Sequence, residues 1–340
     1  MSAASSHTIL VTGATGYVAT HVISSLLKAG YNVRGTVRSK GSIPVILAAQ
    51  GFDAPSRLTF SIVPDITAPH AFDEAVKGVS GIMHTASPFI LSVKDNESEL
   101  LKPAINGTVN ILEAAADHAG PQLSRVVITS SFASIVDMSQ GYRPGYTYTE
   151  NDFNPATYRE AAESKDGGFS YCASKALAER AAWDWMAEHK PHFTLSTICP
   201  PWIFGPYLTP ITNLNKLSES VGLIRKLIGA ESVPPIDFAG FADVRDVATA
   251  HLLAFQSPKA AGQRFLIGNH FDYQTAVDLI REEIPEIKDR VPEGVKGAGL
   301  KEDVYQVDGS KAVGVLGLEY TPLNVTLRDL VRQLVATGVQ

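Results

Sequence analysis

Tyr171 and Lys175 stand four residues apart at the head of a run that reads as a helix, so their side chains share one face. That pairing can do acid–base chemistry. Two unit charges about 4 Å apart, at an effective dielectric near 20, attract by about 4 kcal/mol. An ammonium beside Tyr171 would therefore bring a phenol of ordinary pKa, about 10, close to neutrality, where a general acid works best. Alone, Tyr-x-x-x-Lys is a common accident of an amphipathic helix. Ser131 adds weight to it, closing the run Val126-Val-Ile-Thr-Ser-Ser131, in which polar residues follow an apolar strand. Sites form at the carboxyl ends of parallel strands, and a hydroxyl there can hydrogen-bond a developing alkoxide. Alternation along the strand points Ser130 elsewhere. Such a trio would protonate a carbonyl oxygen while a hydride reaches its carbon.

A hydride needs a carrier, and the amino terminus supplies a place for one. Thr12-Gly13-Ala14-Thr15-Gly16-Tyr17-Val18-Ala19 follows the β-branched strand Thr8–Val11 and opens a helix over Tyr17–Lys28. In this position Gly13 takes the tight turn, Gly16 lets backbone approach a pyrophosphate, and Ala19 permits close helix–sheet packing. The pyrophosphate would meet free N–H groups at the helix start. At the end of the next strand, Asn32–Val37, an NAD enzyme would carry an acid for the ribose 2′-hydroxyl. Here the residues are Arg38, Ser39 and Lys40. Arg38 can fork two N–H bonds to a 2′-phosphate, so the cofactor expected is NADPH or NADP+. Arg34 is read as a solvated surface charge.

Strands expected at Leu58–Val63, Gly81–His84, Val126–Thr129 and Phe193–Ile198 alternate with helices at Phe72–Lys77, Glu99–Ala116 and Tyr171–His189. Pro103 should kink the second of these helices. The alternation implies an α/β, Rossmann-type, doubly wound parallel sheet. A dinucleotide-binding domain over residues 7–206 is expected, with 243–270 returning to it, and a smaller, mainly substrate-binding lobe over 207–340. Beyond Pro206, helices are expected near Leu217–Ile228, Asp243–Phe255 and Leu327–Val335, and a strand at Arg264–Ile267.

Composition closes off other classes. The chain has 340 residues, 45% hydrophobic and 19% charged, with a net charge of −6. That gives no basic footprint for nucleic acid and no cationic cluster for an anionic membrane. No apolar run reaches the roughly 18 residues of a membrane span, and no signal-peptide pattern opens the chain. Cys172 and Cys199 are expected to be reduced thiols, and the location cytoplasmic. The nine histidines show no metal-ligand spacing, so no metal is expected. His84 is read as a packing residue, and Asp243 and Asp246 as helix caps.

Taken together, Thr12-Gly-Ala-Thr-Gly16, Thr129-Ser-Ser131, Tyr171-Cys-Ala-Ser-Lys175 and Phe204-Gly-Pro206 resemble an extended short-chain dehydrogenase/reductase. Val63-Pro-Asp-Ile66, His84-Thr-Ala-Ser-Pro-Phe89, Asn154-Pro-Ala-Thr157 and Asp243-Val-Arg-Asp-Val-Ala248 narrow the resemblance. They are similar to segments of the fungal methylglyoxal/isovaleraldehyde reductases, relatives of plant dihydroflavonol reductases. The likeness runs from Ile9 to the carboxyl terminus and thins over Tyr207–Gly240. It implies a Ser131–Tyr171–Lys175 triad, with Tyr171 and Lys175 also touching the cofactor. It implies cofactor contacts from Gly13, Thr15, Gly16, Tyr17, Val18, Arg38 and Lys40. Asp65 and Ile66 would meet the adenine, and Thr85, Ala86 and Ser87 the ribose and nicotinamide side. Thr129, Pro200, Trp202 and Ile203 would complete the nicotinamide site. Phe89, Ser131, Phe132, Val136 and Trp202 would contact substrate, and Asn106 would support the lysine. Cys199 stands where relatives have Asn, which puts a cofactor contact in doubt.

The activity expected is reduction of neutral aldehydes and ketones by a monomer or homodimer, since no arginine is placed to anchor a substrate carboxylate. Two other readings share the fold: a nucleotide-sugar epimerase or dehydratase that recycles tightly held cofactor, and a non-catalytic NADP sensor. Arg38 without an acid argues against the first, and the intact triad against the second.

Overall fold

The computed structural model describes residues 6–49, 52, 55–87, 93–299 and 303–338. The first part of the chain runs β1 (Thr8–Val11), α1 (Tyr17–Lys28), β2 (Asn32–Val37), α2 (Ile43–Leu47), β3 (Leu58–Ile62), β4 (Gly81–His84), α3 (Lys102–His118) and β5 (Arg125–Thr129). Next come β6 (Thr147–Tyr148), α4 (Tyr158–Glu163), α5 (Gly167–His189), β7 (Thr194–Cys199) and β8 (Trp202–Phe204). The remainder holds α6 (Glu219–Leu227), β9 (Gly240–Asp243), α7 (Val244–Gln256), β10 (Gln263–Leu266), β11 (Asn269–His270), α8 (Tyr273–Glu283), β12 (Gln306–Val307) and α9 (Leu323–Ala336).

Seven strands form one parallel sheet in the order β10-β7-β5-β4-β1-β2-β3. Both faces are covered, so neighbouring residues on a strand enter different cores. Ile9 and Val11 pack under α1 and α7 with Val22, Leu26 and Val247. Leu10, between them, joins Ile111, Leu112, Ala182 and Trp185 of α3 and α5. A third core, built from α6, α8 and α9, holds Ile224, Val277 and Leu330.

The order of connection reverses between β1 and β4, and the two strand ends are tied there. The Thr12 hydroxyl oxygen accepts from the Thr85 and Ala86 amides at 3.1 and 3.0 Å. Its proton is then left for His84 Nδ1, 3.1 Å away. Burial, with a smaller push from Lys175, lowers the His84 pKa to about 3, so the ring is neutral and can accept.

Three expectations need correction. Phe72–Lys77 is a series of turns, not a helix. His70 has φ +62° and Gly78 φ +73°, and Arg34 draws the Ala75 and Lys77 carbonyls to its guanidinium at 2.8 and 2.7 Å. Arg34 is thereby a structural donor as well as a surface charge. Pro103 does not kink a helix interior. It lies in the first turn of α3, where no amide is needed, after a π-helical turn over Glu97–Leu101. Asp246 is not a cap; its carboxylate takes the Thr321 amide and hydroxyl, each at 2.7 Å.

Asp243 does cap α7, accepting the Arg245 amide at 2.8 Å. Its fully buried carboxylate also pairs with the Arg245 guanidinium and takes the Thr326 hydroxyl of α9, both at 2.7 Å. This cluster joins α9 to the end of β9. Removing one member strands the others, at a cost of about 3 kcal/mol. Asp243→Ala is expected to lose that much unfolding free energy in urea. A loss below about 1 kcal/mol, the size of an exposed pair, contradicts this account.

Candidate active site

The glycine loop needs its glycines. Gly13 has φ +67°, and a Cβ on it would sit 3.1 Å from Ala86 Cα. Gly16 donates to the Gly13 carbonyl at 2.8 Å and stands at the N-cap of α1 with no side-chain cap. The first amides of α1 therefore face the cleft without a capping acceptor, which suits a phosphate.

Two clefts open along the carboxyl edge of the sheet. One is lined by Gly13, Thr15, Arg38, Asp65, Ile66 and Ala86. The other, about 390 Å³, is lined by Tyr17, Val18, Thr129, Ser131, Phe132, Tyr171, Lys175, Pro200, Trp202 and Ile203. Gly16, Thr85 and Ser87 border both. One continuous trough thus runs from Arg38 to Tyr171. Asp65 is held below its ordinary pKa by hydrogen bonds from the Thr67 hydroxyl and amide, with a smaller pull from Arg38. The Thr129 hydroxyl lies 2.7 Å from His251 Nε2, whose other ring nitrogen meets the Val247 carbonyl. That bond spends the hydroxyl on α7.

Three assignments are not brought to the trough, and a fourth lies outside the described residues. Lys40 is exposed and starts a short 3-10 turn; Ser42, two residues on, lines the cleft instead. Val136 is 2% exposed, packed with Ile135, Tyr148 and Tyr305 in a core behind the cavity. Asn106 faces the opposite side of α3, beside Asp73 and Trp185. Phe89 is the residue outside the described set.

Helix α5 begins four residues before Tyr171, capped by Asp166, whose carboxylate accepts the Gly168 and Phe169 amides at 2.9 and 3.2 Å. Tyr171 and Lys175 therefore project from its second and third turns. Lys175 Nζ donates to Ser87 Oγ at 2.5 Å and lies 5.5 Å from the Tyr171 ring centre. Electrostatics here run against the expectation. Burial pushes the Tyr171 phenol well up, opposed by its hydrogen bond with Ser131. Burial also pulls Lys175 down to about 8. Desolvation thus governs both groups, and the phenol keeps its proton, the form that donates to a carbonyl oxygen.

The cavity's outer wall was not legible from motifs. Leu217, Ser218, Glu219 and Phe238 complete it. Phe238 meets Trp202 edge-on at 5.3 Å and Phe132 at 6.0 Å. Asp237 fixes that wall, accepting from Trp202 Nε1 at 2.9 Å and the Tyr273 hydroxyl at 3.0 Å. Among the described residues the Ser218 hydroxyl is buried with no partner in good hydrogen-bond geometry, the Tyr207 hydroxyl lying beside it. A buried hydroxyl left unpaired is costly, so a ligand polar atom would be stabilised there. Its signal in the sequence is only a serine between Leu217 and Glu219.

Residues 9–268 match the model of the NAD dependent epimerase/dehydratase family. The chain belongs to that family. It is 34% identical to an NADPH-dependent methylglyoxal reductase of Saccharomyces cerevisiae, covering 96% of this chain and 97% of that one. It is 36% identical to a ketoreductase of Aspergillus niger, over 96% and 97% of the two chains. Among solved structures, the yeast methylglyoxal/isovaleraldehyde reductase complexed with NADPH superposes with a TM-score of 0.87 at 32% identity, covering 97% and 98%. The seven-stranded parallel sheet agrees with the Rossmann-type fold expected.

Cys199 does not reach the trough. Its thiol is fully buried, 3.7 Å from Glu179 Oε2, so this side chain contributes nothing to the cofactor surface. Burial first, then the Glu179 charge, pushes it up to about 12; burial likewise pushes Cys172 to about 12. Both thiols should therefore resist a thiol-exchange reagent at pH 8 and react only after denaturation. Rapid reaction of either in the native protein, followed by absorbance, would contradict this placement.

Proposed function

We propose that this chain is an NADPH-dependent reductase of neutral aldehydes and ketones. The observation that carries the reading is the single trough, with Arg38 at one end and Tyr171, Ser131 and an aromatic wall at the other. Arg38, exposed at the end of β2, offers a fork to the 2′-phosphate. The glycine loop and the start of α1 take the pyrophosphate. Asp65 and Ile66 border the adenine, and Lys175, with Ser87, reaches the ribose. Pro200, Trp202 and Ile203 flank the nicotinamide, which when bound supplies the hydride.

The remaining roles belong to the protein. Tyr171 holds a proton at its hydroxyl and gives it to the carbonyl oxygen. Ser131 hydrogen-bonds that oxygen as charge develops on it. Phe132, Trp202 and Phe238 exclude water and favour an apolar substituent. Among the described residues, Glu219 is the acidic residue on the wall and Lys175 the one cation, so little there would anchor a substrate carboxylate. The activities for which its relatives are named suggest small α-oxoaldehydes and branched aldehydes as first candidates. We place the enzyme in the cytoplasm, as a monomer or homodimer. Residues 7–206 would mainly hold cofactor, and 207–340 mainly substrate.

Turnover is read as loss of NADPH absorbance with aliphatic aldehydes, α-dicarbonyls, β-keto esters and aryl ketones, with NADH in parallel. Consumption with NADPH supports the reading, and none with any carbonyl overturns it. Arg38→Ala should weaken NADPH binding by about 10- to 100-fold, the worth of charge-assisted hydrogen bonds, and leave NADH binding nearly unchanged. Equal losses for both cofactors would remove Arg38 from the phosphate site. Tyr171→Phe should cost about 100-fold or more in kcat with NADPH binding retained; wild-type turnover in this variant would sink the proton-donor role.

A further inference from the structure

Two turns beyond Tyr171 and one beyond Lys175, α5 carries Glu179, whose side chain is 1% exposed. Its carboxylate is the hub of a buried network beneath the reaction cavity. Oε1 accepts from Arg264 Nε and the Thr197 hydroxyl, both at 2.7 Å, and from Trp183 Nε1 at 3.2 Å. Oε2 accepts from the Ser130 hydroxyl at 2.6 Å, with the Ser134 hydroxyl at 2.5 Å and the Cys199 thiol at 3.7 Å. Burial alone would raise the carboxyl's pKa, but Arg264 and the hydroxyl donors outweigh it and hold Glu179 below the ordinary value. Arg264 is itself anchored, donating to the Glu150 and Asp152 carbonyls at 2.7 Å each.

Packed apolar residues in place of a buried ion pair are often as stable or more so. Stability therefore gives no reason for this carboxylate. Its partners give one. Ser130 and Ser134 bracket Ser131, and the Ser134 hydroxyl also lies 2.7 Å from the Ser131 carbonyl oxygen. The turn they close is a single 3-10 segment, Phe132–Ser134, with Ser131 as its N-cap, accepting the Ala133 amide at 3.1 Å. Glu179 thus grips both ends of the turn that presents Ser131, from the same rigid helix that presents Tyr171 and Lys175.

We propose that Glu179 is a positioning residue for the reduction: through Ser130 and Ser134 it sets Ser131 against Tyr171. The inference rests on the reductase reading above. Glu179 itself lines neither cleft, so its effect on rate is expected to pass through the turn that carries Ser131. A displacement of Ser131 by an ångström is enough to cost up to about 100-fold in rate.

The test is a double-mutant cycle of Glu179→Gln and Ser131→Ala, read as kcat, carbonyl KM and NADPH binding. Glu179→Gln is expected to lower kcat by about 10-fold or more and leave NADPH binding within about twofold. In the Ser131→Ala background the same substitution should lower kcat by less than about twofold, since coupled residues are non-additive. Equal losses in both backgrounds, or an unchanged kcat, overturn the role. Should Glu179→Gln not fold, Ser134→Ala carries the same cycle with the ion pair left intact, expected to lose several-fold in kcat only where Ser131 is present. Wild-type turnover that falls in Ser131→Ala upholds the underlying reading whatever Glu179 does. No wild-type turnover overturns that reading and this role with it.

Discussion

Desolvation at the carboxyl edge of the sheet is the constraint on which the site depends. Tyr171 and Lys175 are carried by α5 into a seam between two clefts, where both are half-buried and charge is disfavoured. The phenol is pushed up and the ammonium pulled down to about 8. A phenol in such a seam is a proton donor held ready over a wide pH range. It gives that proton up when charge develops on an oxygen beside it, because that oxygen then becomes the stronger base. In the proposed reduction, Ser131 and Lys175 would favour that charged state more than the resting one, which directs binding energy to the transition state.

Everything around the seam serves to hold it. The tie from Thr12 to Thr85 and Ala86 keeps the glycine loop beside the end of β4. Tyr17 donates to the Gly205 carbonyl at 2.6 Å, joining the first helix to the turn after β8. Asp243 and its partners bind α9 to β9. Asp237 orients Trp202 through its indole nitrogen. These contacts link the carboxyl-terminal part to the trough, and among its described residues only Glu219 brings a charged group to the outer wall.

The first half of the fold was legible because it is locally consistent. β1, α1, β2 and β4 carry strong periodicity bounded by glycine or a charged turn, and the expected limits Thr8–Val11, Tyr17–Lys28, Asn32–Val37 and Gly81–His84 hold. The motifs of the trough were legible because backbone geometry demands them, as at Gly13. Other features depend on distant partners and leave no local trace. Arg34 takes carbonyls more than forty residues away, and no helix forms where they lie. Val136 sits near Ser131 in sequence, but the 3-10 turn after Ser131 sends it into the core. The expected drop in the Tyr171 pKa failed for a related reason. Distance along a helix predicts which charges meet, but not how much water the rest of the chain removes.

In the proposed reduction hydride passes directly from NADPH to a substrate carbonyl carbon in this trough and is not recycled within a tightly held cofactor. Turnover with NADPH deuterated at C4, on the face that transfers, tests it most directly, with the alcohol examined by mass spectrometry. The account predicts one deuterium on the former carbonyl carbon and one NADPH consumed for each alcohol formed. An unlabelled product formed without net consumption of NADPH would contradict it and point to the epimerase-like alternative.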